Sequence, residues 1–423
     1  MEDRQIAQRV VEALRRGTPP QRGVDLYSVG HEKLLGGIER YHLAGITDCG
    51  TIRFLSGSWG AGKTHFFRVL REAALKGGCL VSNVELNVND AALDKFERIF
   101  YSIVRNIETP LCYEAGIPQD AAPFSYVVRE ALGYLATGQH DLDGEVAYED
   151  YAAAREKLMA DREIDIDFRK MIELYWKTYL PEAPDPSVME QQRAEILEWF
   201  SGEGTIGVYR KRFGVNKMVS RENARLMLQS LASFVRLAGY RGLVILFDEA
   251  EQAYSVMRKS SLRNAHNNLL MLINNIEKLN GMFMVYATTP DFYTNEKHGI
   301  VVYGALSGRI GKPEMRHPAA LDTVWNFDAM EASEDDYRSV AGKIRDVYVT
   351  AYPGSESALP SDEELGTFVS ELSEMHPSLA SVRFWRVLVT ASVRSFDDRL
   401  EGDGESTSTA DLYGSVMDRL RDE

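Results

Sequence analysis

The sequence predicts an α/β fold: a parallel sheet flanked by helices, with a helical insertion and a C-terminal helical region. Three observations carry that prediction. Residues 54–67, FLSGSWGAGKTHFF, set a glycine-rich loop between a strand-like run and a stripe of apolar residues at helical spacing. Residues 243–247 are apolar throughout and end in two carboxylates, Asp248 and Glu249. Such a run is expected of a central parallel strand buried on both faces. Between the two lies far more chain than one or two βα units of about 30 residues need. The sheet is therefore interrupted by an insertion.

Residues 1–45 read as an N-terminal helical segment. Ile6, Val10, Val11 and Leu14 recur at helical spacing, a loop with two prolines occupies 18–23, and a second helix runs from about His31 to Leu43. The core comprises 46–109 and 217–320. Its first strand covers 51–55, a second alternates over 79–86, and 93–107 is helical. Residues 110–216 form the helical insertion, rich in Ala, Glu, Tyr and Lys and broken at Pro181, Pro184 and Pro186. Ala224, Leu228, Leu231 and Val235 make a helical stripe leading into the carboxylate strand. After that strand, 269–279 is helical and 282–287 is a further buried strand ending in Thr288-Thr289-Pro290. Residues 321–423 are the C-terminal helical region, polar and broken at Pro353, Pro360 and Pro377.

Gly57, Gly62, Lys63 and Thr64 fit G-x-x-x-x-G-K-[ST] at every fixed position. In this pattern glycines let backbone N–H groups close around phosphate oxygens, and the helix that follows adds the positive end of its dipole. The expected nucleotide contacts are the whole loop, Gly57, Ser58, Trp59, Gly60, Ala61, Gly62, Lys63 and Thr64, together with Asp248. Lys63 reaches the β and γ phosphates; Thr64 and Asp248 hold Mg2+. Glu249 polarises the attacking water. The substrate expected is ATP, with Mg2+ as cofactor.

Composition narrows the function classes. A charged content of 26% with 44% hydrophobic residues is that of a soluble globular chain. Cys49, Cys79 and Cys112 lack metal or redox spacing and read as reduced thiols. No apolar run approaches a membrane span, so a cytoplasmic location is expected. The net charge of −15 argues against indiscriminate nucleic-acid binding. Two local basic runs remain: Arg210, Lys211, Arg212, Lys217 and Arg221, and then Arg258, Lys259 and Arg263. Each is either an ordinary solvated face or a phosphate contact.

The order of loop strand, second strand, Asp-Glu strand and a strand with a polar end resembles the AAA+ ATPases. YGALSGRI at 303–310 resembles the arginine-finger segment of their initiator-like members, and the region around Arg383 resembles their sensor-2 lid. AQRVVEALRRGTPP, LYSVGHE, the glycine-rich loop and GLVILFDEAEQ together resemble the ATP-binding proteins of bacterial BREX phage-exclusion systems, the C/D-type family, nearer the D-type in length. The resemblance implies an AAA+ P-loop core, Arg309 as a finger that follows Gly304 to Gly308 in a loop after the fourth strand and reaches a neighbouring subunit, and Arg383 as a lid contact. It also implies a polar sensor at Thr288 or Thr289, and adenine-side contacts from Tyr27, Val29 and Gly30. For Arg309 the alternative is an intrachain salt bridge, and for Arg383 a surface arginine at a helix start. Implied partners are other copies of the chain in a homo-oligomer and other defence-system proteins, with duplex DNA as a further candidate and no membrane. The function implied is ATP turnover coupled to assembly and to action on DNA or on a DNA-acting partner. The alternative is a nucleotide-dependent switch or scaffold that regulates an effector with little turnover.

Overall fold

A computed structural model of the chain describes residues 2–87, 92–117, 124–140, 147–180, 185–248, 257–330, 332–377, 384–402 and 407–422. At its centre is a mixed α/β layer with a six-stranded sheet: β1 (Thr51–Ser56), β2 (Leu80–Glu85), β3 (Ile107–Glu108), β4 (Leu243–Asp248), β5 (Met282–Thr288) and β6 (Val324–Asn326). The strand order is β3-β2-β4-β5-β1-β6. Every pairing is parallel except that of the two-residue edge strand β3 with β2. Chain order and spatial order differ: β5 lies between β1 and β4. Its C-terminal end therefore stands between the loop that follows β1 and the carboxylate that ends β4.

Alternation explains why β4 is apolar throughout. Leu243, Ile245 and Phe247 face one core, while Val244 and Leu246 face the other. On the second face the strands bury Phe66, Leu70 and Ala74 of α3 (Lys63–Lys76) and Leu34 and Ile38 of α2 (Glu32–Ile38). The first face carries α4 (Phe96–Arg105) and most of the helical chain that separates β3 from β4. That chain comprises α5 (Pro110–Glu114), α6 (Phe124–Thr137), α7 (Tyr148–Ala160), α8 (Ile166–Lys177), α9 (Pro186–Phe200), α10 (Ile206–Phe213) and α11 (Ala224–Leu237). Its aromatic residues Phe124, Phe168, Trp176, Trp199, Phe200 and Phe234 join the core on the sheet's first face. At roughly 1.5–3 kcal/mol for each large side chain removed from water, that shared core binds the inserted helices to the sheet.

Beyond β4 come α12 (Lys259–Asn275), the short α13 (Asp291–Thr294) and α14 (Gly304–Ile310). The remaining helices are α15 (Glu334–Ala351), α16 (Asp362–Met375), α17 (Phe384–Glu401) and α18 (Thr409–Asp422). α15 and α16 each begin with a reciprocal capping box, Ser333 with Asp336 and Ser361 with Glu364. α15 to α18 share a separate core with the first helix, α1 (Glu2–Arg15), whose Ala7, Val10, Val11 and Leu14 are buried in it. Arg15 clamps that junction: Nε and Nη2 donate to the two carboxylate oxygens of Asp397 at 2.7 and 2.8 Å. No helix among the described residues is long and apolar enough to cross a membrane.

Candidate functional site

The site is built on the turn from β1 into α3. Gly57 must be glycine, because a Cβ there would meet the Cβ of Ala61 at 2.9 Å and that of Phe327 at 3.2 Å. Gly60 and Gly62 hold φ of 76° and 89°, the left-handed region where other residues are strained. Gly57 N–H donates to the carbonyl of Thr288 at 3.1 Å, which ties the loop to the end of β5. Ser58 donates its N–H and its hydroxyl to Asp328, at 2.9 and 2.8 Å to Oδ2. Asp328 is remote in sequence and fastens the loop from the β6 side. Lys63 is only 8% exposed. Its Nζ donates back to the carbonyls of Gly57 at 2.7 Å and Ser58 at 3.2 Å. Trp59, 63% exposed, stands over it with its ring centre 5.9 Å from Nζ.

One contact joins the two halves that the sequence separates by the insertion. The Thr64 hydroxyl donates to Asp248 Oδ2 at 3.0 Å. The sheet register brings this about, since β4 and β1 flank β5 and end at the same level. Thr64 and Asp248 are hard oxygen donors of the kind that hold Mg2+ alongside water and phosphate oxygens, and the pair fits that ion. The chain also matches the family model described as BREX system ATP-binding protein BrxC/D, over residues 3–397. The chain belongs to the BrxC/D family. Neither a curated protein nor a solved structure matches it.

In this BrxC/D chain the loop borders a cavity of about 380 Å3 on the side away from Asp248. Gly60, Ala61 and Gly62 form its floor. Val29 and Gly30 line it beside Tyr27, and Trp385 and Arg386 of α17 face them from the helical region. Two imidazoles complete the wall. His65 Nε2 lies 2.7 Å from the Ser28 hydroxyl, and His31 stacks on Phe327 at 5.7 Å. Burial pushes His65 down to about 3, with His31 adding to the effect; it pushes His31 down to about 4 against the pull of Glu32. Both rings are neutral at pH 7, which suits a mostly apolar ligand face.

The other expected residues fall as follows. Thr288 is fully buried and committed: its hydroxyl donates to the Leu55 carbonyl at 3.2 Å and lies 2.9 Å from the Tyr293 hydroxyl. Thr289 is buried at the end of β5 without a side-chain partner among the described residues. Arg309, expected in a loop, instead lies in the last turn of α14, because Leu306 and Ile310 bury at i, i+4 and wind the segment into a helix. It is exposed, and its Nε donates to Asn274 Oδ1 at 2.6 Å rather than forming a salt bridge. Glu249, Glu251 and Arg383 lie outside the described residues. Of the first basic run, Lys217 pairs with Asp165 and Arg212 with Glu195. Arg210, Lys211, Arg221, Arg258, Lys259 and Arg263 are exposed.

Sequence reasoning missed His31, His65, Asp328 and Arg386. His65 follows the motif directly, and a histidine after G-K-T was the one local hint. Asp328 and Arg386 carry no pattern that links them to a loop so distant in the chain.

Proposed function

We propose that this chain is an Mg2+-dependent ATPase with an AAA+-type core and a helical lid, nearer the D-type of its family. Its turnover and assembly serve a BREX defence system by acting on DNA or on a DNA-acting partner. The observation that carries the reading is the Thr64–Asp248 contact of 3.0 Å at the foot of a G-x-x-x-x-G-K-T loop. ATP would lie with its base in the cavity of Val29, Gly30 and His65, and with its phosphates over Gly60 to Thr64. Lys63 would leave the Gly57 and Ser58 carbonyls for the phosphates. Thr64 and Asp248 would hold Mg2+, which when bound would supply charge neutralisation at the phosphoryl oxygens. Glu249, next to Asp248 at the strand end, takes the water-orienting role. Thr289, whose side chain has no partner among the described residues where Thr288 is committed, is the better sensor, and Arg309 and Arg383 are the assembly and lid arginines. The polar end of β5 between loop and carboxylate supports the AAA+ reading.

The test is hydrolysis and nucleotide binding across an Mg2+ titration for wild type, Thr64→Ala and Asp248→Asn. Both variants should need more Mg2+ and lose turnover. Unchanged Mg2+ dependence in both would remove the basis of the proposal.

A second reading, a switch with little turnover, is favoured by the engagement of Arg309 with Asn274 of its own chain and by the net charge of −15. Hydrolysis measured with and without duplex DNA at two salt concentrations separates the two. Stimulation that fades with salt supports action on DNA; indifference supports the switch.

A further inference from the structure

The loop has open space on both sides. Beyond Thr64 and Asp248, opposite the base-side cavity, lies a polar cleft of about 440 Å3 at the carboxyl ends of β2 and β4. Open α/β sheets bind their ligands at that edge. Arg68 stands one helical turn after Thr64, so both side chains share a face of α3 and line the cleft. Arg68 is half-buried, as is Asn83, which also lines the cleft. Among the described residues neither side chain has a hydrogen-bond partner.

A half-buried arginine with five unused donors is unusual, because the cost of its desolvation is ordinarily offset by pairing. Its neighbours show the ordinary case. Arg71 makes a bidentate pair with Glu108 at 2.6 and 2.7 Å. Burial lowers the Arg68 guanidinium from its ordinary value and Arg71 adds to that, whereas Asp248, Glu108 and Glu72 oppose it. Of those carboxylates, Glu108 is taken by Arg71, and Glu72 accepts the backbone N–H of Gly23 at 2.7 Å. The third, Asp248, is the candidate metal ligand. Once a dication sits on it, Arg68 is left as an uncompensated cation with a planar set of donors, the arrangement that suits an oxyanion.

We propose that this cleft is a second anion site, which holds the inorganic phosphate cleaved from ATP as it leaves the loop. Arg68 and Asn83 donate to its oxygens. Glu85, exposed at the rim, accepts the remaining P–OH of monohydrogen phosphate, a proton that sulfate lacks. The assignment of the phosphate's origin rests on the hydrolysis reading; the binding itself does not.

The experiment is equilibrium dialysis of radiolabelled inorganic phosphate against the nucleotide-free full chain in Mg2+. It compares wild type, Lys63→Ala, Arg68→Gln and Arg68→Lys, with thermal melting to show that each is folded. Saturable binding should persist in wild type and Lys63→Ala, fall about tenfold or more in Arg68→Gln, and recover in part in Arg68→Lys. Sulfate should displace phosphate poorly. Four results would each overturn the proposal: no saturable binding in wild type, loss in Lys63→Ala, wild-type binding in Arg68→Gln, or displacement by sulfate as readily as by phosphate. ATP calorimetry on the same wild-type sample keeps the two readings apart. A chain that binds phosphate at Arg68 but does not bind ATP would end the ATPase reading and leave the anion site standing.

Discussion

Lys63 illustrates how much a single side chain is asked to do. It is almost fully buried, held by two loop carbonyls and covered by Trp59. Neutral carbonyls are weaker partners for an ammonium than phosphate oxygens, so a nucleotide can draw it away. Lys63→Ala should weaken ATP binding by about 1.5–3 kcal/mol, read by calorimetry. Unaltered affinity would reduce the loop to a turn. Glu249 is tested by its amide. Glu249→Gln should keep Mg-ATP bound and lose hydrolysis, so ATP should co-purify with the variant. Turnover near wild type would pass the role to Glu251 or to another group.

At the scale of elements, the inserted helices meet the sheet through buried polar groups as well as apolar ones. Glu130 of α6 is 0% exposed and accepts hydrogen bonds from the Tyr240 hydroxyl and, at 2.7 Å, from the Thr109 hydroxyl. Burial pushes its carboxyl up to about 7, against those hydrogen bonds, which favour the ionised form. A carboxyl raised in the folded state favours folding below its ordinary value of 4.5, where it is protonated in both states. That contribution is lost as pH rises through about 7, because the unfolded chain ionises first. Glu130→Gln should therefore flatten the fall in stability between those two values, a difference on the order of 3 kcal/mol. Melting temperature against pH for both proteins measures it. Parallel curves would mean that Glu130 ionises in the folded protein as it does in the unfolded chain.

For the whole molecule, the cavity beside the loop lies where two cores meet. Its floor belongs to the sheet, and its far wall, Trp385 and Arg386, to the helical unit that α1 completes. A ligand there would bridge the two units. Arg309 lies on the outer surface of the sheet unit, exposed at the end of α14. If it completes a neighbour's site, Arg309→Ala should keep ATP binding and lose hydrolysis. The loss should be smaller than the roughly 10³–10⁵ known for arginine fingers in GTPases. Mixing Arg309→Ala with Lys63→Ala should restore activity, since one supplies a pocket and the other a finger. Specific activity should also rise with protein concentration. Hydrolysis that ignores concentration and is not rescued by mixing would favour a self-contained switch.

The loop and Asp248 were legible in the sequence because each is a local pattern: glycines at fixed spacing, and an apolar run with a carboxylate at its end. The stripe of α11 is local in the same sense, since the forces that set it act within a turn or two of chain. Other features required the tertiary structure. The register that brings Thr64 to Asp248 depends on β5 entering between β1 and β4. The hold of Asp328 on Ser58, the packing of α1 among the C-terminal helices, and the place of Arg68 in the cleft depend on residues brought together from distant parts of the chain. Arg309 shows the same limit at short range. Its segment reads as a glycine-rich loop, and only burial of Leu306 and Ile310 against the core winds it into a helix. Sequence pattern records what a segment prefers when considered alone; which surfaces are left to bury, and against what, is decided by the assembled core.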